Sequence, residues 1–254
     1  MLYLLALFAG ALGIGFVSAI AGIGGGSLMV PFMVLALGFD VKVAVATSLL
    51  CIVVTSCSAA SVYLRRGLID VKSALLLEPA TALGAIAGAF ITLTLPAEAV
   101  KCALGFILLY VSGMMLKKAL ARARSQESAP KLLPARKLLS VAASFLAGLI
   151  SGMFGVGGGV IKVPVLTMIL GLPIKVAVAT SSFMVGLTAA SGGVVYLAKG
   201  FTDPVAVLAL AAGIMPGATL GAKYMRKLDP RVVRLVFSLI LLYAAARLLY
   251  SALT

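Results

Sequence analysis

The chain has 254 residues, 63% of them hydrophobic and 11% charged, which is too apolar for a soluble domain whose whole surface must face water. Its net charge of +14 would raise nucleic acid as a partner in a soluble protein. Here seven of the twenty-one basic residues fall between Lys117 and Lys137 and five between Lys223 and Arg234, in polar connections between apolar runs, so anionic lipid is the expected neighbour and nucleic acid is not.

The first segment, Met1 to about Ala21, is apolar and N-terminal like a secretory signal. It lacks a basic n-region, and the same sequence type recurs at 138–154, so it is expected to be part of the fold. A glycine run, GIGGG at 22–26, follows, and then a short apolar piece at about 28–37 that gives only about 15 Å of helix. Continuous apolar runs at 43–64, 73–94 and 100–116 are each long enough to cross a hydrocarbon core of about 30 Å. The basic stretch 117–137, with Pro130 and Pro134, reads as a linker. Beyond it come 138–154, a second glycine run GVGGG at 155–159, a short piece at 161–170, and spanning runs at 175–197, 204–222 and 235–250. Cys51, Cys57 and Cys102 show no CxxC spacing and the chain has no histidine, which leaves disulfide frameworks, zinc sites and histidine-based catalysis unsupported. A phosphate-binding GxxxxGK[ST] loop is also lacking, so no cofactor is expected and direct use of ATP is not.

The second half of this order repeats the first. Shifting the chain by 133 residues aligns Gly15–Asp70 with Gly148–Asp203 without a gap, and 24 of the 56 positions are identical. The densest matches are the two glycine runs, Val30-Pro31 with Val163-Pro164, and KVAVATS at 42–48 with the same heptapeptide at 175–181. If 117–137 is cytoplasmic, the run at 100–116 points inward, that at 73–94 outward, and the connection holding Arg65, Arg66 and Lys72 is cytoplasmic too. Lys223–Arg234 must also be cytoplasmic, yet it is the repeat equivalent of 90–101, which the first half places outside. The halves are therefore expected to be inverted.

The fold class that follows is an all-α polytopic membrane protein of two inverted-topology repeats. Each holds a broken, re-entrant helix pair and three full transmembrane helices, so that 1–38 and 138–171 enter and leave by the same side. The expected divisions are an N-terminal repeat at 1–118, a cytoplasmic linker at 119–137 and a C-terminal repeat at 138–254, in the cytoplasmic membrane with both termini on the non-cytoplasmic side. The alternative is that the first segment spans fully and the short piece lies flat at the interface, giving eight helices.

The glycines carry the functional signal. Gly24, Gly25 and Gly26, and likewise Gly157, Gly158 and Gly159, interrupt a helix inside an apolar context, where freed backbone is tolerated only if buried in protein or lining a wet cavity. Pro31 and Pro164 suit the first turn of the helix that resumes. Each repeat then presents a helix N-terminus, with free N–H donors and a positive dipole end, and such an end attracts anions. Close packing by small residues is the competing explanation. Thr47-Ser48 and Thr180-Ser181 repeat within the duplicated heptapeptide and add hydroxyls, with Ser27 and Ser182 as lesser candidates. Hydroxyls in membrane helices also bond neighbouring carbonyls. Lys162 stands where the first repeat has Met29, and a lysine in the membrane interior is costly and usually functional, so it is the candidate to neutralise a bound anion. Glu78, the carboxylate inside an apolar run, is a candidate for proton coupling or for pairing with a basic group, against the simpler expectation that it is solvated near a helix end. Lys42 and Lys175 sit at helix starts and are expected to anchor the interface.

GIGGGSLMVP, GVGGGVIKVP and the two KVAVATS blocks resemble the TauE/SafE family of membrane permeases, and the resemblance covers essentially the whole chain. It implies a transport protein of about eight membrane segments that exports sulfite, organosulfonates or related anions. The expected function is thus a secondary transporter, not an enzyme, that exports a small anion by rocking one half against the other. A passive anion channel and a non-transport scaffold subunit are the alternatives. The expected partners are the small anion and the lipid bilayer, and a homo-oligomer is left open.

Overall fold

The computed structural model describes residues 2–21, 25–120, 134–224 and 230–253. Among the described residues there are ten helices. They are α1 (Leu2–Ala21), α2 (Gly26–Pro31, continuing through Phe32–Ala36), α3 (Val41–Arg65), α4 (Val71–Thr94), α5 (Ala97–Leu120), α6 (Pro134–Phe154), α7 (Gly159–Pro164, continuing through Val165–Ile169), α8 (Ile174–Ala198), α9 (Pro204–Tyr224) and α10 (Pro230–Leu253). Gly24 and most of the basic linker lie outside the described residues.

Six of these helices are long and apolar enough to cross a membrane: α3, α4, α5, α6, α8 and α9. Five coincide with expected spans, and α6 does not. Expected as the first part of a re-entrant pair, 138–154 belongs to helix α6, which begins at Pro134 and whose apolar stretch Arg136–Phe154 has the length of a full span. α1 matches it with 20 residues, about 30 Å of helix. For the run expected at 235–250, the described apolar part of α10 is the shorter stretch Ser238–Ala252. Of the short pieces, α2 is covered by its neighbours at every residue from Gly26 to Pro31, and α7 at Gly159, Val160 and Lys162.

Glycine starts both short helices. Gly25 and Gly158 precede α2 and α7 with φ of 90° and 68°, a left-handed turn that only glycine adopts without strain. Because the helices begin directly at Gly26 and Gly159, Pro31 and Pro164 are sixth in their helices and not in the first turn as expected. A proline there cannot donate to the carbonyl four residues back. In both helices the chain relaxes into a wider π turn from the next residue, Phe32–Ala36 and Val165–Ile169. Both then end the same way: Gly38 and Gly171 take left-handed φ of 69° and 71°, and the N–H groups of Phe39 and Leu172 reach back to the carbonyls of Met33 and Leu166.

Small residues set how the long helices pack. A Cβ on Gly84 or Gly88 would run into the backbone of Phe145 or Leu149, and one on Gly148 or Gly152 into that of Thr81 or Ala85. α4 and α6 thus lie backbone to backbone and run parallel. The same pattern joins α9 to α1, where Gly213, Gly217 and Gly221 meet the carbonyls of Phe8, Leu12 and Phe16 in that order. α8 runs parallel to α4, since Asp70, Glu78 and Ala85 of α4 and its cap stand by Thr180, Thr188 and Gly192. α3 is antiparallel to α8, with Ser56 beside Gly186 and Leu49 beside Gly193. α5, joined to α4 by two residues, is antiparallel to α10, with Gly105 beside Leu249 and Ser112 beside Ser238. Hence α4, α6, α8 and α10 run one way, and α1, α3, α5 and α9 the other.

The most extensive packing joins α4 to α6, α1 to α9, α5 to α10, α3 to α8, α4 to α8 and α3 to α9. Every one of these interfaces pairs an element before residue 121 with one after residue 133. Replacing each helix by its equivalent 133 residues along returns the same set. Individual bonds follow suit: the Tyr63 hydroxyl donates to the Ala19 carbonyl at 2.7 Å, and Tyr196, its equivalent, donates to the Gly152 carbonyl at 2.9 Å.

Candidate functional site

The two glycine-rich breaks meet inside the bundle. Gly26 lies so close to Gly155 that a Cβ on it would overlap the Gly155 carbonyl oxygen, and Gly155 itself rests on Val45 of α3 and Val30 of α2. The Ser48 hydroxyl donates to the same Gly155 carbonyl at 2.8 Å, so the serine of the first heptapeptide holds the glycine break of the second repeat. Ser27, Thr47, Ser48, Thr180 and Ser181 are fully buried, and Ser182 nearly so. Close packing and a buried freed backbone, the two readings of the glycines, thus occur together here.

The hydroxyls differ in what they do. Thr180 accepts a hydrogen bond at 2.9 Å from the backbone N–H of Asp70, the residue that caps α4 through Ser73, so it ties the start of α4 to α8. Its equivalent Thr47, and Ser27, are buried with no partner for the side-chain oxygen. Two further serines, not among the candidates expected from sequence, have the same character. Ser18 and Ser151, repeat partners on α1 and α6, are fully buried without partners, and they stand against the glycines that open the short helices. A Cβ on Gly25 would come within 3.1 Å of the Ser18 hydroxyl, and one on Gly158 within 3.4 Å of the Ser151 Cβ. Their identity across the repeat was the signal that could have found them.

Lys162 is buried on α7, as a charge of that kind in a membrane interior requires a partner. The partner is Glu78: its Oε2 lies 3.3 Å from the Lys162 ammonium, in the one ion pair found among the described residues. Thr188 of α8 closes the group. Its hydroxyl donates to Glu78 Oε1 at 2.6 Å, and the Lys162 ammonium also hydrogen-bonds to it. Glu78 is therefore not solvated at a helix end: α4 is packed along α6 and α8, and the carboxylate faces inward from its second turn. The Lys42 ammonium donates to the Leu93 carbonyl at 3.2 Å and closes the C-terminal end of α4, where a cation opposes the helix dipole favourably. Lys175 is exposed, as expected.

A bundle of long apolar helices around buried glycine breaks and a buried ion pair defines a polytopic α-helical membrane protein. Residues 7–248 match the sulfite exporter TauE/SafE family, and the chain belongs to that family. It is 28% identical to the probable membrane transporter protein YunE of Bacillus subtilis over 93% of this chain and 94% of that one. It is 30% identical to the probable membrane transporter protein YdhB of the same organism over 92% and 93%. A shorter match, 38% identical over 39% of this chain and 23% of the other, is to the sulfite exporter TauE/SafE family protein 6 of Arabidopsis thaliana. No solved structure matches the chain.

Proposed function

We propose that the protein is a secondary transporter that carries a small anion, sulfite or a small organosulfonate, out across the cytoplasmic membrane by alternating access. The observation that carries this reading is the meeting of the two glycine breaks, Gly26 against Gly155, each followed by a short helix that starts at a buried glycine, beside an unpartnered serine. Exposed N–H groups, a positive dipole end and spare hydroxyls are what an oxyanion without its hydration shell requires. Gly25, Gly26, Gly158 and Gly159 would supply backbone donors, Thr47, Ser27, Ser18 and Ser151 hydroxyls, and Lys162 charge. The family description supports sulfite or its relatives as the cargo.

The inverted arrangement belongs to this proposal. Its support is that each helix runs opposite to its repeat equivalent: α1 to α6, α3 to α8, α4 to α9 and α5 to α10. With 117–137 at the cytoplasmic face, α5 ends there, and both termini fall on the far side. α1 and α3 run the same way, because Tyr63 near the end of α3 bonds Ala19 near the end of α1, so α2 returns the chain to the side where α1 began. The moving bodies differ from the two sequence halves, since the main interfaces all cross between halves. α1 and α2 would move with α9, and α6 and α7 with α4, sliding at the glycine contact between them.

Counterflow in liposomes holding purified protein tests this reading. Labelled sulfite outside should exchange with unlabelled sulfite inside, saturably and without conductance. Conductance without counterflow would indicate a channel, and no flux of sulfite or sulfonate would refute anion transport altogether.

A further inference from the structure

The Lys162–Glu78–Thr188 group holds the one ion pair among the described residues, and we propose that it is a counter-ion switch. A monovalent anion displaces Glu78 from the Lys162 ammonium while Glu78 takes up one proton, so that anion and proton cross together. The inference rests on the anion-carrier reading above and gives its cargo a charge and its transport a coupling ion.

Charge balance is the argument. The ammonium of Lys162 and the carboxylate of Glu78, 3.3 Å apart, by themselves sum to zero. A monovalent anion brought to the ammonium would leave the site at −1 while Glu78 stayed ionised, and an uncompensated buried charge costs several kcal/mol. One proton on the displaced carboxylate restores neutrality: ammonium, anion and neutral carboxyl again sum to zero. A divalent anion leaves −1 even then, so the same group selects against it. The one O–H bond that forms, on Glu78, replaces one that breaks in a hydronium ion of the solution and leaves water, and no bond to carbon or sulfur changes.

The surroundings favour Glu78 as the group that moves and titrates. Lys162 is 1% exposed at its side chain and Glu78 is 9%, which makes the carboxylate the outer member of the pair. It lies seven residues from the start of α4, about 10 Å along the helix. Thr188 can hold either form, because its hydroxyl donates to a carboxylate and can accept from a carboxyl. The other charged groups on the elements around Glu78 are Asp70 and Lys72 at the start of α4, Arg136 and Lys137 in the first turn of α6, and Lys175 and Lys199 at the ends of α8. Lys72, Arg136, Lys137, Lys175 and Lys199 are exposed, and Asp70 is held by Ser73. The residues equivalent to Lys162, Thr188 and Glu78 are Met29, Thr55 and Ala211, so there is one such switch among the described residues and one proton per anion follows.

The experiment uses the whole protein in liposomes loaded with a pH-sensitive dye, with the potential clamped by potassium and valinomycin. Methanesulfonate serves as the probe, since this anion of a strong acid carries no proton of its own. The expected result is one proton per methanesulfonate, a rate that changes less than about twofold when the potential is moved by 100 mV, and sulfate carried at least about tenfold more slowly. Glu78→Gln should carry methanesulfonate without protons and with a rate that follows the potential. Wild-type flux of methanesulfonate unaccompanied by protons overturns the switch and leaves the carrier reading standing. Absence of any methanesulfonate or sulfite flux in the wild type overturns both. The wild-type stoichiometry decides the matter even if Glu78→Gln does not fold.

Discussion

The two repeats build the same scaffold and fill it differently. α7 carries Lys162 against Glu78 and Thr188, whereas α2 carries Met29 at the equivalent position, fully buried, with Thr55 bonded only to the Cys51 carbonyl of its own helix. Between the halves, the backbone devices are duplicated almost bond for bond: the left-handed glycine, the proline with its π turn, the glycine cap and the tyrosine strut. What differs is charge. A duplicated frame with one charged group separates the part that shapes the bundle from the part that would meet the proposed cargo, and substitutions at equivalent positions can test that separation.

The largest effect should come from unpairing the ion pair. Lys162→Met, which installs the residue of the other repeat, leaves the Glu78 carboxylate buried without a cation and should destabilise the protein by about 3–5 kcal/mol. Adding Glu78→Met should recover most of that loss, since two apolar side chains of similar size need no partner. Thermal unfolding in detergent measures both. In the other repeat Met29→Lys should be comparably damaging, because Ala211 offers no carboxylate there. Equal stability of Lys162→Met and wild type would mean that the pair does not hold the fold.

The glycine contact comes next. Gly26→Ala would set a Cβ 1.8 Å from the Gly155 oxygen and 2.5 Å from Ile52 Cδ1. Because the first obstacle is backbone, relief requires the two breaks to separate, at about 1–3 kcal/mol or more. Gly13→Ala on α1 meets nothing within 4 Å and should instead be neutral or stabilise by about 0.5–1 kcal/mol. If Gly26→Ala folds as well as Gly13→Ala, the breaks do not touch.

Much of this frame was legible in the sequence, and the exceptions have physical causes. The repeat, the glycine breaks and five of six long helices follow from self-similarity and apolar length, which are local properties of the chain. α6 is the exception because crossing parity fixes only the net path of 138–171 and not the length of its first helix; Gly148 and Gly152 lie on Thr81 and Ala85, and the small side chains are the contact surface of a long helix. The proline was misplaced because nothing in the local spacing says that the helix resumes at the last glycine. For the site, Lys162 and Glu78 were each visible as a rare charge in an apolar run. Their pairing was not, since it joins residues 84 apart through the parallel packing of α4 and α8. Ser18 and Ser151 carry no charge and stood out only once the glycines they face were placed.

Threonine sharpens the comparison between the repeats more finely, because it is the same residue in both. Thr188→Val removes a hydroxyl that bridges a buried carboxylate and ammonium, and should cost about 1–3 kcal/mol. Thr55→Val removes only a bond to its own helix and should stay within about 0.5 kcal/mol of wild type. Indistinguishable unfolding temperatures for the two variants would place the charged group outside the stable core.

The smallest effect tests the frame itself. Tyr63→Phe and Tyr196→Phe each delete one hydroxyl that donates to a carbonyl, on α1 in one case and on α6 in the other, and both tyrosines are fully buried. Each should cost about 0.5–1.5 kcal/mol, and the two losses should agree, because the struts join equivalent helices at equivalent heights. They lie on opposite sides of the duplicated frame and share no partner, so the double variant should lose the sum. Unequal losses would show that the frame is duplicated in sequence but loaded on one side only. Equal, additive losses beside a large asymmetry at Lys162 would leave charge as the difference between the repeats.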